Sequence, residues 1–292
     1  MKVKYHKLFK YRIDKIYEIR MKKRGKRGQI TIFVVIALMI VAAIVVVFLV
    51  WNQLAPISKP GVKAPSLSLQ FENGIKECVK ENAKEAITEL VETGGNSYRE
   101  PKLPFKEWDG ENYVYLCLNE NDYEECVNQD EDLIGTFENG IKKKVNTKGK
   151  ECIDKILGNA KKNGFIVDIK SNPEVIVDIR GGIAGAETGR VDVSYIQNIE
   201  ISKGDDKASF DRFDVVLDSD LNLMLEEVIK IINSEAKSGT AQGENAALIH
   251  SGGKLDVWGP YPYDGSDLYE VKLVKENLEL KFAARSRVLP AP

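Results

Sequence analysis

Four cysteines, Cys78, Cys117, Cys126 and Cys152, are the residues whose type and spacing say most about chemistry. None belongs to a close Cys-x-x-Cys pair, the arrangement a structural zinc site uses, so oxidation to two disulfides is the chemistry they fit. Four cysteines allow three pairings. The favoured one closes a small loop between Cys117 and Cys126 and leaves Cys78 and Cys152 to staple two helices. Such bonds persist outside the reducing cytosol. Histidine chemistry is nearly absent, with only His6 and His250 in the chain. A Ser-His-Asp triad would have to use His250, and no Gly-x-Ser-x-Gly turn presents a nucleophile. Asp205-Asp206, Glu124-Glu125 and Asp218/Asp220 have the residue types of a glycosidase pair. With 44 acidic residues in the chain, solvated surface is their expected role. The Gly-rich stretch 180–189 lacks the Gly-Lys-Ser/Thr of a phosphate loop and reads as a turn. No catalytic residue, metal or cofactor is expected, and the chain reads as a non-enzyme. Trp258, Tyr261 and Tyr263 cluster with Pro and Gly at 258–266. They are candidate binding residues, as rings that stack on a sugar face or fill a partner's pocket. The competing reading is a Pro-stiffened hairpin loop packed on its own sheet.

The charge distribution places these groups. The chain of 292 residues has 42 Lys+Arg and 44 Asp+Glu, which looks neutral only on average. Residues 1–28 carry a balance of +10, residues 29–51 no formal charge, and residues 52–292 a balance of −12. The run ITIFVVIALMIVAAIVVVFLVW at 30–51 has no charge, Pro or Gly. As a helix at about 1.5 Å per residue it crosses a hydrocarbon core of about 30 Å. The preceding Lys22-Lys23-Arg24-Gly25-Lys26-Arg27 holds that end in the cytoplasm, so the head is expected outside. The basic segment 1–28 is either an amphipathic helix on anionic lipid or a plain cytoplasmic tail. Nucleic acid is not an expected partner of so acidic a head. The lipid bilayer is.

Lys26-Arg27-Gly28-Gln29-Ile30-Thr31-Ile32-Phe33 resembles the class III signal peptide of archaeal type IV pilin-like surface proteins, a basic-basic-Gly-Gln junction directly before the apolar helix. The resemblance implies cleavage by a prepilin peptidase between Gly28 and Gln29, with the helix kept on the mature protein. It also implies other surface or pilin-like subunits as partners. Phe33 stands where many type IV pilins have Glu. The related family of membrane-anchored ectodomains implies no particular activity.

The elements that must position these residues follow from the apolar periods. The expected organisation is a leader at 1–28, a transmembrane helix at 29–51 and a Pro-rich linker at 52–67, broken by Pro56, Pro60 and Pro65. A helical Cys-containing region at 68–163 and a β-rich region with one helix at 164–292 complete it. One helix is expected over 68–91, on the stripe Phe71, Ile75, Val79, Ala83, Ile87 and Leu90. A loop over 98–112 should lead to a short strand at 113–118, and a second helical region at 132–162 to a break at Gly149. The hexapeptide Phe-Glu-Asn-Gly-Ile-Lys occurs at both 71–76 and 137–142. Convergent packing of two helices explains it better than a repeat, because the flanks do not match. Beyond Gly164 the period becomes two, with strands at 165–170, 174–179, 190–202 and 210–217. A helix over 219–236 carries Leu221, Leu225, Val228, Ile232 and, on the same line, Glu235. Strands near 247–250, 254–257, 268–275 and 278–284 follow, with a turn at Lys275-Glu276-Asn277. The expected fold class is α+β: antiparallel strands and about three helices behind one membrane helix.

Overall fold

The first helix, α1 (Leu67–Glu92), follows the apolar stripe: Ile75, Val79, Ala83, Ala86 and Leu90 have no exposed surface. Gly94 and Gly95 close it, with the Gly95 amide donating to the Leu90 carbonyl at 2.7 Å. The structure is a computed structural model that describes residues 67–119, 125–181, 189–238 and 253–285, all within one compact unit, Pro65–Pro292. The leader with Gly28 and Gln29, the expected membrane helix at 29–51 and the linker up to residue 66 lie outside the described residues. Among the described residues no helix is long and apolar enough to cross a membrane.

The second helical region is one rod, with a wider turn in place of the expected break. Helix α2 (Leu133–Lys144) passes through a π turn, Val145–Gly149, into α3 (Lys150–Lys162). The Asp132 side chain caps it, accepting from the Gly135 amide at 3.0 Å. The duplicated hexapeptide makes the same kind of contact in both places. Ile75, Phe137 and Ile141 are wholly buried, and Phe71 packs edge-on to Phe165 at 5.6 Å. Its glycine lies at a helix crossing: a Cβ on Gly140 would meet Leu90 at 2.7 Å, and one on Gly74 would meet Ile156 at 3.4 Å. Apolar residues four apart with a bare position beside them let two helices approach closely.

Four strands, β4 (Ile166–Ile169), β5 (Glu174–Arg180), β6 (Arg190–Lys203) and β7 (Asp206–Asp218), form an antiparallel sheet. Strands β4 and β5 lie along one side of β6, and β7 along the other. The second sheet runs β1 (Phe105–Trp108), β2 (Glu111–Leu118), β10 (Leu278–Arg285), β9 (Ser266–Leu273), β8 (Leu255–Tyr263), and β3 (Val127–Asn128) also pairs with β2. The expectation of antiparallel strands holds except at one ladder. Strands β2 and β10, far apart in the chain, are parallel.

Helix α1 packs on β7 of one sheet and β10 of the other, and α4 (Leu221–Ser238) packs on both sheets as well. The helices therefore form a middle layer in an α+β head, and one contiguous core includes residues of all four helices and both sheets. The turn at 275–277 has a second use. Glu276 accepts from the Asp220 amide at 2.7 Å and the Ser219 hydroxyl at 2.6 Å, placing a carboxylate at the N-terminus of α4.

Candidate functional site

Two hairpins set up the site. Strands β1 and β2 are joined by Asp109-Gly110 (φ 52° and 79°), and β8 and β9 by Asp264-Gly265 (φ 47° and 73°). Two left-handed residues in a two-residue loop are the I′ geometry, which matches strand twist and fixes register. The residue before each turn is aromatic: Trp108 faces Glu111, and Tyr263 faces Ser266.

The ladder of β8 with β9 has a bulge. Trp258 pairs with Glu270 and Tyr261 with Leu268, so three steps on β8 match two on β9. Cross-strand partners share a face. The extra residue therefore puts Trp258, Tyr261 and Tyr263 on one face, where strict alternation would separate Trp258 from Tyr261. Segment 258–266, read from sequence as a loop, is a strand to Tyr263 followed by a tight turn, because the bulge absorbs Gly259 and Pro260. Strand β1 likewise replaces part of the loop expected at 98–112, although Pro101 and Pro104 precede it.

That face is turned away from the helices. Val114, Leu116, Tyr269, Val271 and Phe282 join the main core, whereas Tyr113, Tyr115, Leu268 and Ala283 form a small second core with Trp108 and Leu118 against it. Strands β1 and β8 are opposite edges of the path, roughly 19 Å apart if it were flat. Yet Trp108 stacks on Tyr261 at 5.9 Å and 24°, and reaches Tyr263 at 6.3 Å. The sheet is thus curled until its edges meet across the second core. Lys106 bridges the seam, paired with Asp264, and its Nζ lies 5.2 Å from the centre of the Tyr263 ring. The hydrogen bond to Asp264 raises the Lys106 pKa. Beneath the rings, Tyr113 donates to Glu270, and Tyr115 and Ser266 share a hydrogen bond of 2.8 Å. Burial, then Glu270, pushes the Tyr113 phenol well above its ordinary range. At the surface, Tyr261 and Tyr263 remain 38% and 42% exposed.

The other residues that the sequence singles out lie apart from this shelf. Cys78 is bonded to Cys152, tying α1 to α3 with Cα atoms 5.8 Å apart, and Cys117 to Cys126 beside β3 with Cα atoms 5.3 Å apart. No cysteine is free. Asp220 is structural, holding the Gly189 amide at 2.9 Å and Lys254 at 3.0 Å. Asp205 and Asp206 are exposed at the β6–β7 turn. His250, the expected strand at 247–250, Glu124 and most of the Gly-rich stretch (182–188) lie outside the described residues. Among the described residues no group of three or more His, Cys, Asp or Glu could hold a metal ion.

One acidic pair emerges only in the folded chain. Glu235, wholly buried in the last turn of α4, accepts a hydrogen bond from the Tyr269 hydroxyl. Burial, then the charge of Glu235, raises the Asp267 pKa from 3.8 to about 6. The signal available in the sequence is the carboxylate of Glu235 on an apolar helical line. The pKa is raised in the folded state, so the native protein holds a proton that the unfolded chain has already lost. This contribution is fully present below about pH 4 and is lost as pH rises through about 6. Asp267→Asn should therefore flatten the fall in Tm between those values and stabilise the head at neutral pH by about 1 kcal/mol, discounted for partial solvent access. Melts of both proteins across that range check it, and parallel curves would contradict it.

Comparison with known protein families, with curated proteins and with solved structures finds no match for this chain.

Proposed function

We propose that the chain is a cell-surface protein, held by one N-terminal membrane helix with its N-terminus in the cytoplasm, whose α+β head serves structural or adhesive contacts outside. The observation that carries this reading is the pairing of all four cysteines within the head. Two disulfides in a domain behind a basic flank and a long apolar run are consistent with folding in an oxidising space. A pilin-like filament subunit is the narrower version and needs leader removal between Gly28 and Gln29. A tethered ligand-binding receptor is the second reading. It is favoured over an enzyme by the half-exposed rings of Tyr261 and Tyr263 at the seam of the curled sheet.

Intact mass of the protein extracted from its native membrane tests processing and oxidation together. The expected result is the mass of residues 29–292, with alkylation of the cysteines only after reduction. The mass of the full chain would remove the pilin-like version, and alkylation without reduction would remove the oxidised head.

A further inference from the structure

We infer that the seam formed by Trp108, Tyr261 and Tyr263 binds a neutral pyranose saccharide. This inference rests on the adhesive reading above and names the ligand class of its contact surface. Three features of the seam select the ligand. The rings come from hairpins closed by tight turns on opposite edges of one sheet, so they form a rigid aromatic surface before any ligand arrives. Its charged groups already have partners within the chain: Lys106 is paired with Asp264, and the Glu270 carboxylate beneath the rings accepts from the Tyr113 hydroxyl. Lys106 also lies over the Tyr263 ring, so the cation–π position there is filled from within the chain.

What stays available is the exposed part of the Tyr261 and Tyr263 side chains beside Trp108. A pyranose with equatorial hydroxyls is the complement of such a surface. Its axial C–H bonds make a flat apolar face for the rings, and its hydroxyls lie around the edge, where they meet donors and acceptors. A folded protein partner fits less well, since a stable interface takes about 800 Å² from each side and a few rings do not supply it. Single contacts of this kind are weak, and adhesion through them depends on many copies at one surface.

The test uses the full chain in lipid nanodiscs, titrated with cellotetraose and with N-acetylchitotetraose, read by tryptophan fluorescence and calorimetry. The expected result is saturable binding of at least one saccharide, weakened about tenfold or more by Tyr261→Ser and by Tyr263→Ser. Both variants alter part-exposed rings, and unchanged circular dichroism and Tm show that they fold. Trp108 also packs on Tyr113 at 5.8 Å, so Trp108→Phe is the companion variant there rather than Trp108→Ala. Binding of neither saccharide overturns the inference, as does binding that survives both tyrosine substitutions. If cell attachment is lost in the tyrosine variants while neither saccharide binds, the sugar assignment fails and the adhesive reading stands. Self-association that Tyr261→Ser abolishes, again without saccharide binding, would assign the seam to a second copy of the chain.

Discussion

Replacing Cys78 and Cys152 together by alanine lowers the unfolding free energy of the head by roughly 4 kcal/mol. The bond closes a loop with a sequence separation of 74 residues, and the chain-entropy relation makes the penalty grow with loop length. The second bond spans a separation of only 9, which the same relation values at about 2.5 kcal/mol. The packing points the same way. Cys78 sits on the buried face of α1 beside Ile75 and Val79, and its partner on α3 holds the middle layer together. Urea unfolding of the two paired variants checks both magnitude and order. A loss below about 1 kcal/mol for Cys78/Cys152, or a larger loss for Cys117/Cys126, contradicts this account of the staples.

Gly259→Ala destabilises the head by about 3 kcal/mol and detaches the tyrosines from Trp108. Gly259 has φ +116°, and a Cβ there would lie 2.5 Å from the Leu268 carbonyl oxygen and 2.9 Å from the Tyr269 ring. The carbonyl belongs to β9, in ladder with β8 and β10, and cannot yield without loosening strands on both sides. Backbone strain adds about 1–2 kcal/mol to that overlap. Gly253 is the control: its φ is +78° but a Cβ there would have nothing within 4 Å among the described residues, so alanine there carries the backbone term alone. Near-ultraviolet circular dichroism should show the loss of ring packing at Trp108 in Gly259→Ala and not in Gly253→Ala. Equal behaviour of the two variants would mean that the bulge does not hold the aromatic face together.

The helices and the cysteine pairing were legible because their signals are local or few. Ile75, Val79, Ala83 and Leu90 mark a face at helical spacing, and a nine-residue interval between Cys117 and Cys126 suggests its own closure. The alternation in β6 and the turn at 275–277 are local in the same sense. The parallel ladder between β2 and β10 was not legible, because no turn or spacing links strands so far apart in the chain. The same distance hid Trp108: nothing near residue 108 says that a strand about 150 residues later will curl over to meet it. Pro101 and Pro104 made β1 itself read as part of the loop that precedes it, and Gly259-Pro260 did the same for β8, since both residues ordinarily end strands. A bulge reverses that expectation by using the interruption to change which side chains share a face. Gly149 misled for a similar reason, as a π turn carries the helix through it without a break.

The central proposal is that the disulfide-stapled head lies outside the membrane that the N-terminal helix crosses. Digestion of intact cells with a protease too large to enter them, followed by detection of a C-terminal epitope, tests it most directly. The expected result is that the epitope is lost from intact cells while a cytoplasmic protein in the same cells survives. An epitope protected until the cells are lysed would place the head inside and contradict the proposal.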